Sequence, residues 1–563
     1  LNTVKAADSE REWGNLSSMA FAMKSALGAW ATAIGWDSVI TASADLQEVE
    51  TATFATAHKI PVVLRPSTRE QVQECLRIAN RLRIPVYPVS SGKNWGYGSR
   101  VPAADQSALL DLSRLNRIVD FNEDLAYVTV EPGVTQRQLY EFLQSRNSRL
   151  WMDATGSSPD CSLIGNTMER GFGHTPYGDH FSHVCGFEVL LPTGEFIETG
   201  FGRFQGAIAT PVARWGIGPS LDGLFSQSNL GIVTRMTLWL MPAPEYFQAF
   251  YFRGDSYGSL GEIVDALRPL RLNGTLRSAV HIGNDFKVLS AIRQYPWEES
   301  RGRTPLPEPV MGEMRRQLNF GHWNGSGGLY GTKAQVAEAR RLVRSALAGK
   351  VSKLQFLDDR AIRLASRFSK PFRLLTGWDL SRTLELVKPV YGLMKGIPTE
   401  FSLRSAYWRK RTTVPAQMDP DRDGCGLVWC APIAPLAGDH AATMARLATD
   451  ALLAHGFEPM LSFTLITERT LGCVVSVSYD RSVQGEDQRA MACHDDLITR
   501  MTEAGYYSYR LGIQSMGQMR RPSAYNEVLQ TIKNALDPNN VLAPGRYQAA
   551  AAVAKSQSQK AGS

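Results

Sequence analysis

The chain has 563 residues, 44% of them apolar and 20% charged, so it can form two or three domains with ordinary globular cores. Its formal net charge of +7 is modest for that length and its Lys and Arg residues are dispersed. This argues against a nucleic-acid partner and leaves a mild positive field suited to anionic or electron-rich substrates. No apolar run reaches the ~18 residues of a membrane span. Seven cysteines without CxxC or CxxCH spacing and nine histidines without HExxH spacing speak against a disulfide scaffold, a zinc site or a covalently attached c-type haem, and no metal is expected.

The stretch from Met19 to Trp36 comes nearest to a long apolar segment, but Lys24 interrupts it and Gly28 and Gly35 punctuate it, which predicts a packed amphipathic helix. Val62-Val63-Leu64 reads as a strand. Pro66 and the capping box Ser67-Thr68-Arg69-Glu70 then open a helix whose apolar face is Val72, Cys75, Leu76, Ala79 and Leu82. Pro85 stops that helix, and Val86 to Val89 delivers the chain into PVSSGKNWGYGSR, residues 88–100. Gly92, Gly96 and Gly98 can take positive φ there and let backbone amides converge on an anion such as a pyrophosphate. The loop has neither GxGxxG spacing nor a P-loop Lys-Ser/Thr pair, so neither a Rossmann fingerprint nor a Walker motif is supported.

Two β-rich runs, Ala108 to Leu112 and Ala126 to Val130, precede a turn at Glu131 to Val134 and a helix from Gln136 to Leu143. A second glycine-rich stretch runs from Asp153 to His180, long enough without regular structure to suggest that it binds something. A hairpin over Pro192-Thr193-Gly194 follows, and Gly216 to Pro244 ends the block in a long strand. From about Tyr246 to Glu503 glycines thin out and strands alternate with helices, the texture of a second α+β domain. The last part holds Tyr509-Arg510, a helix from Ala524 to Leu536, DPNNVLAPGRY and an Ala/Ser/Gln/Lys-rich tail.

Four of these segments, PVSSGKNWGYGS, GNTMERGFGHTPYGDH, GPSLDGLFSQSNLGIVT and DPNNVLAPGRY, together resemble the FAD-dependent vanillyl-alcohol oxidase and p-cresol methylhydroxylase family from about Ile60 to Tyr547. The resemblance implies a two-domain α+β fold. Residues 1–243 and 505–549 would form the FAD-binding domain, 244–504 an α+β cap over the substrate, and 550–563 a flexible tail. FAD would be held by Ser91, Gly92, Lys93, Asn94, Gly96 and Tyr97 of the first loop, by Gly165, Asn166, Gly171, Tyr177 and Gly178 of the second, and by Gly231, Ile232 and Val233. Arg546 would stand beside the flavin N1 and C2 carbonyl.

The family's phenol site carries over onto Tyr97, Tyr509 and Arg510. A phenol has a pKa near 10, so holding it ionised at pH 7 takes about 3 units, roughly 4 kcal/mol. Hydrogen bonds to a charged group contribute about 1.5–3 kcal/mol each, so one arginine and two phenolic donors suffice. The implied reaction is hydride loss from the benzylic carbon of a para-substituted phenol to flavin N5, through a quinone methide, giving an alcohol, aldehyde or alkene. Electrons would pass on to O2 or to a cytochrome.

Two positions depart from the family pattern. Many relatives attach FAD through a histidine where this chain has Gly472-Cys473, so non-covalent FAD is expected, with Cys473 or Tyr479 as the alternative link sites. The acid of the alcohol-oxidising branch falls closest to Ser157, with Asp160 as a substitute, while His174, Asp179 and His180 read as cofactor-lining or structural. A flavin oxidase for a non-phenolic alcohol or sugar, and a non-catalytic flavoprotein subunit, are the competing readings. The chain starts at Leu1, which leaves room for an upstream leader. A soluble protein is expected, cytoplasmic in preference to periplasmic, with a homo-oligomer left open.

Overall fold

The computed structural model describes residues 21–376, 380–520 and 522–548. The tail expected at 550–563, like Met19 and Ala20 of the first helix, lies outside the described residues. A helix at 21–34 buries Ala26, Trp30 and Ile34, spaced four apart, against the helix Arg69–Leu82, and the Trp30 indole donates to the Cys75 carbonyl at 3.2 Å. Its apolar face is thereby covered by protein. The helix Arg69–Leu82 is capped one residue later than Ser67: the Thr68 hydroxyl accepts from the Gln71 amide, and the Gln71 side chain accepts from the Ser67 N–H. Arg83, left-handed at φ 53°, ends it before Pro85 is reached.

That helix packs on a small sheet in which Val63–Leu64, Ala108–Asp111 and Val86–Val89 run parallel, with Val39–Ile40 antiparallel at one edge. The far end of the chain joins this sheet. The Val86 N–H donates to the Val541 carbonyl and the Ala543 N–H to the Val86 carbonyl, both at 2.8 Å. An antiparallel sheet follows in the order Ile118–Asn122, Tyr127–Val130, Ile232–Trp239, Val184–Leu190, Phe196–Glu198. The hairpin expected at Pro192-Thr193-Gly194 joins its last two strands.

A sheet of eight strands drawn from residues 246–480 forms the rest of the α+β fold. Its order is Lys353–Leu357, Tyr246–Gly254, Trp323–Gly331, Val280–Asn284, Met460–Leu465, Thr470–Asp480, Cys425–Cys430, with Ile433–Pro435 also paired to Thr470–Asp480. Strand alternation sorts its side chains onto two faces. Val280, Ile282, Phe463, Cys473, Val475 and Val428 join the main core with the helices Ser259–Leu272, Lys333–Leu347, Gly438–Ala454 and Glu486–Glu503. The residues between them, His281, Ser462, Thr464, Val474 and Trp429, face a cavity shared with the first part of the chain. No described helix is long and apolar enough to cross a membrane.

Candidate active site

The cavity has a volume of about 400 Å³ and runs between both glycine-rich loops, the end of the strand Ile232–Trp239, the C-terminal segment and the eight-stranded sheet. Among the described residues four cationic side chains line it, Lys93, Lys287, Arg510 and Arg546, against a single carboxylate, Glu169, a net charge of +3 with histidines neutral. Such a surface selects anions.

Tyr97, Tyr509 and Arg510 meet on this wall. The guanidinium of Arg510 lies 4.4 Å over the Tyr97 ring, hydrogen-bonds the Asn94 side chain and stands 3.3 Å from Glu169. Tyr97 also meets Trp429 of the eight-stranded sheet edge-on at 5.4 Å. Burial pushes the Tyr97 and Tyr509 phenols above their ordinary values, so both remain protonated donors at neutral pH. Burial works against the charge of Arg510, but Glu169 and the tyrosines outweigh it and hold the guanidinium firmly protonated.

Glu169 is the hub beneath this wall. It pairs with Arg510 and Arg546 together and accepts from Tyr547 at 3.0 Å, and Arg546 in turn donates to Tyr87 at 2.8 Å. Burial raises the Glu169 carboxyl, yet Arg546 and Arg510 beside it hold it below the usual range. Two guanidiniums share one carboxylate, which leaves one positive charge for an anion in the cavity.

An aromatic wall continues from Tyr509 to Phe172, whose ring is tilted against it at 5.8 Å, and on to His281 and His174, stacked at 4.1 Å. Burial depresses both imidazoles, so they are neutral at physiological pH. His281 Nδ1 bonds Thr464 at 3.1 Å, and its Nε2 has no hydrogen-bond partner among the described residues. Beyond it Lys287 reaches the cavity and donates to Ser405 at 3.2 Å.

Of the residues expected to contact substrate, Tyr97, Tyr509, Arg510 and Ser157 all line the cavity, Ser157 accepting from the Cys161 thiol at 3.4 Å. Asp160 does not. It pairs with Arg137 at 2.8 Å and is half-exposed. His174 lines the cavity, whereas His180 is tied to Asp153 and Asn166, each at 2.6 Å, and Asp179 bonds Ser182 and His183.

Among the residues expected to hold the cofactor, Ser91, Gly92, Lys93 and Asn94, then Gly165, Asn166 and Gly171, then Gly231, Ile232 and Val233, and finally Arg546, are all on the lining. Gly96, Tyr177 and Gly178 are not. Gly96 donates to Thr53 at 3.0 Å and accepts from the Trp429 amide at 3.2 Å; with φ at 77° and a would-be Cβ 3.0 Å from the Trp429 ring, it lets the strand Cys425–Cys430 close on the loop. Tyr177 stacks on His183 at 4.3 Å, and Gly178 closes a turn with Thr175 and Gly173. Cys473 points into the helix-side core and Tyr479 donates to Asp487 at 2.8 Å, so neither lines the cavity.

Sequence reading missed Glu169, His281 and Lys287. Glu169 lies inside a motif, GNTMERGFG, but as a hub it is visible only once Arg510 and Arg546 are brought to it. His281 and Lys287 fall in a segment with no motif, and nothing local marks them.

Residues 60–200 match the family described as an FAD binding domain. The chain is 47% identical over 527 residues, 93% of its length and 97% of the relative's, to the 1'-carboxy-chondrochloren decarboxylase of Chondromyces crocatus. It is 33% identical over 503 residues, 87% of its length and 88% of the relative's, to the flavoprotein subunit of 4-cresol dehydrogenase (hydroxylating) of Pseudomonas putida. Among solved structures, p-cresol methylhydroxylase with substrate bound aligns with a TM-score of 0.83 at 30% identity, over 93% of this chain and 96% of that one. The 4-ethylphenol oxidase of Gulosibacter chungangensis in its isoeugenol complex aligns with a TM-score of 0.85 at 28% identity, over 94% and 97%.

The lining fits FAD. Among the described residues the backbone N–H groups of Gly92, Lys93 and Asn94 have no acceptor, which leaves three consecutive donors at the cavity wall for a pyrophosphate. The indole N–H groups of Trp95 and Trp429, both on the lining, are likewise without a partner among the described residues. Ser91 accepts from the Ser162 amide at 3.0 Å and so ties the two loops together beside those donors.

Proposed function

Because the chain belongs to the vanillyl-alcohol oxidase and p-cresol methylhydroxylase family of FAD-dependent oxidoreductases, we propose that it oxidises a para-substituted phenol at the benzylic carbon. The observation that carries this reading is the convergence of Tyr97, Tyr509 and Arg510 on one wall of a positively charged cavity. The two phenols donate to the substrate oxygen and Arg510 supplies the charge that holds it as phenolate, lowering its pKa by the ~3 units required.

Ionisation pushes electron density through the ring toward the para carbon, which makes hydride the leaving species there. Bound FAD supplies the two-electron acceptor for that hydride. Arg546, paired to Glu169, would offset negative charge on the reduced cofactor. Ser157, on the lining, falls closest in sequence to the acid of the alcohol-oxidising branch, and the one carboxylate on the lining among the described residues is locked between two arginines. Proton movement at the quinone methide is therefore left to water or to the neutral imidazole of His281.

The 47% identity to a decarboxylase favours a second outcome for the same intermediate. Where the substrate carries a carboxylate on the carbon next to the benzylic one, the quinone methide can lose CO2. The electrons of the broken C–C bond form the side-chain double bond and restore the aromatic phenolate. The electron acceptor is O2 or a partner cytochrome, the latter in keeping with likeness to a flavoprotein subunit.

The test is an anaerobic mixture of the holoprotein with a panel of 4-alkylphenols, 4-hydroxybenzyl alcohols and 4-hydroxyphenyl carboxylic acids. Bleaching of the yellow flavin band by free phenols, but not by their O-methyl ethers, is expected. Fast recovery of colour in air would mark an oxidase, slow recovery a dehydrogenase. Flavin-loaded protein that no phenol bleaches would overturn the reading.

A further inference from the structure

Lys287 is a charged group in the cavity that phenol oxidation, as argued above, does not use. It sits in the first turn of the helix Asp285–Ile292, where Asn284 caps its backbone N–H, and its stem packs against Gly283, 3.5 Å from that residue's would-be Cβ. Gly283 follows His281 on the cavity face of the strand Val280–Asn284, about 6.6 Å further along. Lys287 thus lies beside Gly283, two residues from His281 on the same face of that strand, and shares the cavity lining with His281, Phe172 and Tyr509.

Its ammonium group has three donors, and Ser405 accepts one of them. No carboxylate among the described residues pairs with it. Asp285, two residues away, is engaged by Arg315 and His322. Burial alone depresses the Lys287 amine to about 8, with no neighbouring charge to offset it. A half-buried ammonium on a cavity wall, with no counter-ion among the described residues, costs free energy, which an incoming carboxylate would offset through two charge-assisted hydrogen bonds. Lys93, the other lysine of the lining, already has Asp419 at 3.1 Å.

We propose that Lys287 anchors a carboxylate on the para side chain of the substrate, so that the cavity takes a phenol at the Tyr97 and Arg510 end and an acid at the other. The substrate class is then a 4-hydroxyphenyl alkanoic acid or a larger molecule containing one. This inference deepens the phenol reading and rests on it for which end of the ligand points where. The carboxylate contact itself can be tested separately.

The experiment is calorimetric binding to the FAD-loaded protein, reduced beforehand with dithionite and kept without oxygen so that no ligand turns over, using 4-hydroxybenzoate, 4-hydroxyphenylacetate, 3-(4-hydroxyphenyl)propanoate and the primary amide of each. At least one acid should bind the wild type tenfold or more tightly than its amide. Lys287→Met should bring that ratio to within twofold of one while leaving amide binding unchanged, and Lys287→Arg should keep most of the preference. Equal Kd values for every acid and its amide in the wild type would overturn the proposal. So would a preference that survives Lys287→Met, or loss of FAD from Lys287→Met with no acid preference in the wild type, which would assign the lysine to a cofactor phosphate. The O-methyl ethers of the same acids separate the two readings: ethers that bind as well as the free phenols would sink the phenolate anchor, while the ratio of acid to amide still decides the role of Lys287.

Discussion

Charge at the substrate end is set by three side chains that balance one another. Glu169 orients Arg510 and Arg546 and removes one of their two positive charges, so an anion at the Tyr97 end of the cavity meets the one charge left on this pair, backed by the Tyr97 and Tyr509 donors. Removing Arg510 takes away the hydrogen bonds to a charged oxygen that are worth about 1.5–3 kcal/mol, so Arg510→Ala should raise the Kd for phenols roughly 10- to 100-fold. Tyr97→Phe should raise it by less, and neither should affect the O-methyl ethers comparably. Titration of the flavin spectrum measures both, and equal losses for phenols and ethers would reject the phenolate anchor. Tyr97, Tyr509 and Arg510 were legible in the sequence because each sits in or beside a motif. Glu169 as their hub was not, because its partners lie more than 300 residues away along the chain.

The first glycine-rich loop is one element with two duties. Its Gly92-Lys93-Asn94 amides, on residues that line the cavity, have no acceptor among the described residues, whereas Gly96 and Ser99 fasten it to Trp429 and Asp421. Ser99 donates to Asp421 at 2.7 Å, and burial pushes that carboxyl up to about 7, with Asp419 adding to the rise. An aspartate in the unfolded chain titrates near 4. Between about pH 4 and 7 the folded state therefore binds more protons than the unfolded state, and stability falls as pH rises through that window. Asp421→Asn mimics the protonated form, so its melting temperature should match the wild type near pH 3.5 and exceed it by a margin that grows up to about pH 7. A gap that stays constant across that range would refute the assignment. Glycines in this loop were read as an anion cradle, and that reading could not separate the residues left open to a ligand from Gly96, whose N–H is taken by Thr53 and whose open face is filled by Trp429.

At the scale of the molecule, the site exists only where segments from the start, the middle and the end of the chain close on one cavity. Residues near 90 and 165 supply its floor, the strand faces at 281, 429, 464 and 474 its roof, and residues 509–546 its charged wall. The two side chains weighed as flavin links, Cys473 and Tyr479, are turned away from this cavity into the core and toward Asp487. Non-covalent FAD follows as a proposal: acid precipitation should release the yellow colour into the supernatant, and colour kept in the pellet would contradict it. By itself the sequence determined the α+β class, the FAD-binding family and the main strand and helix runs, because glycine spacing, caps and periodicity act over a few neighbouring residues. The tertiary structure alone decided which face of the eight-stranded sheet meets the cavity, which motif glycines stay open, and that Glu169, His281 and Lys287 line it. Strand pairing between residues near 281 and 464, and ion pairing of Glu169 with Arg510 and Arg546, join positions too far apart in sequence for any local pattern to encode.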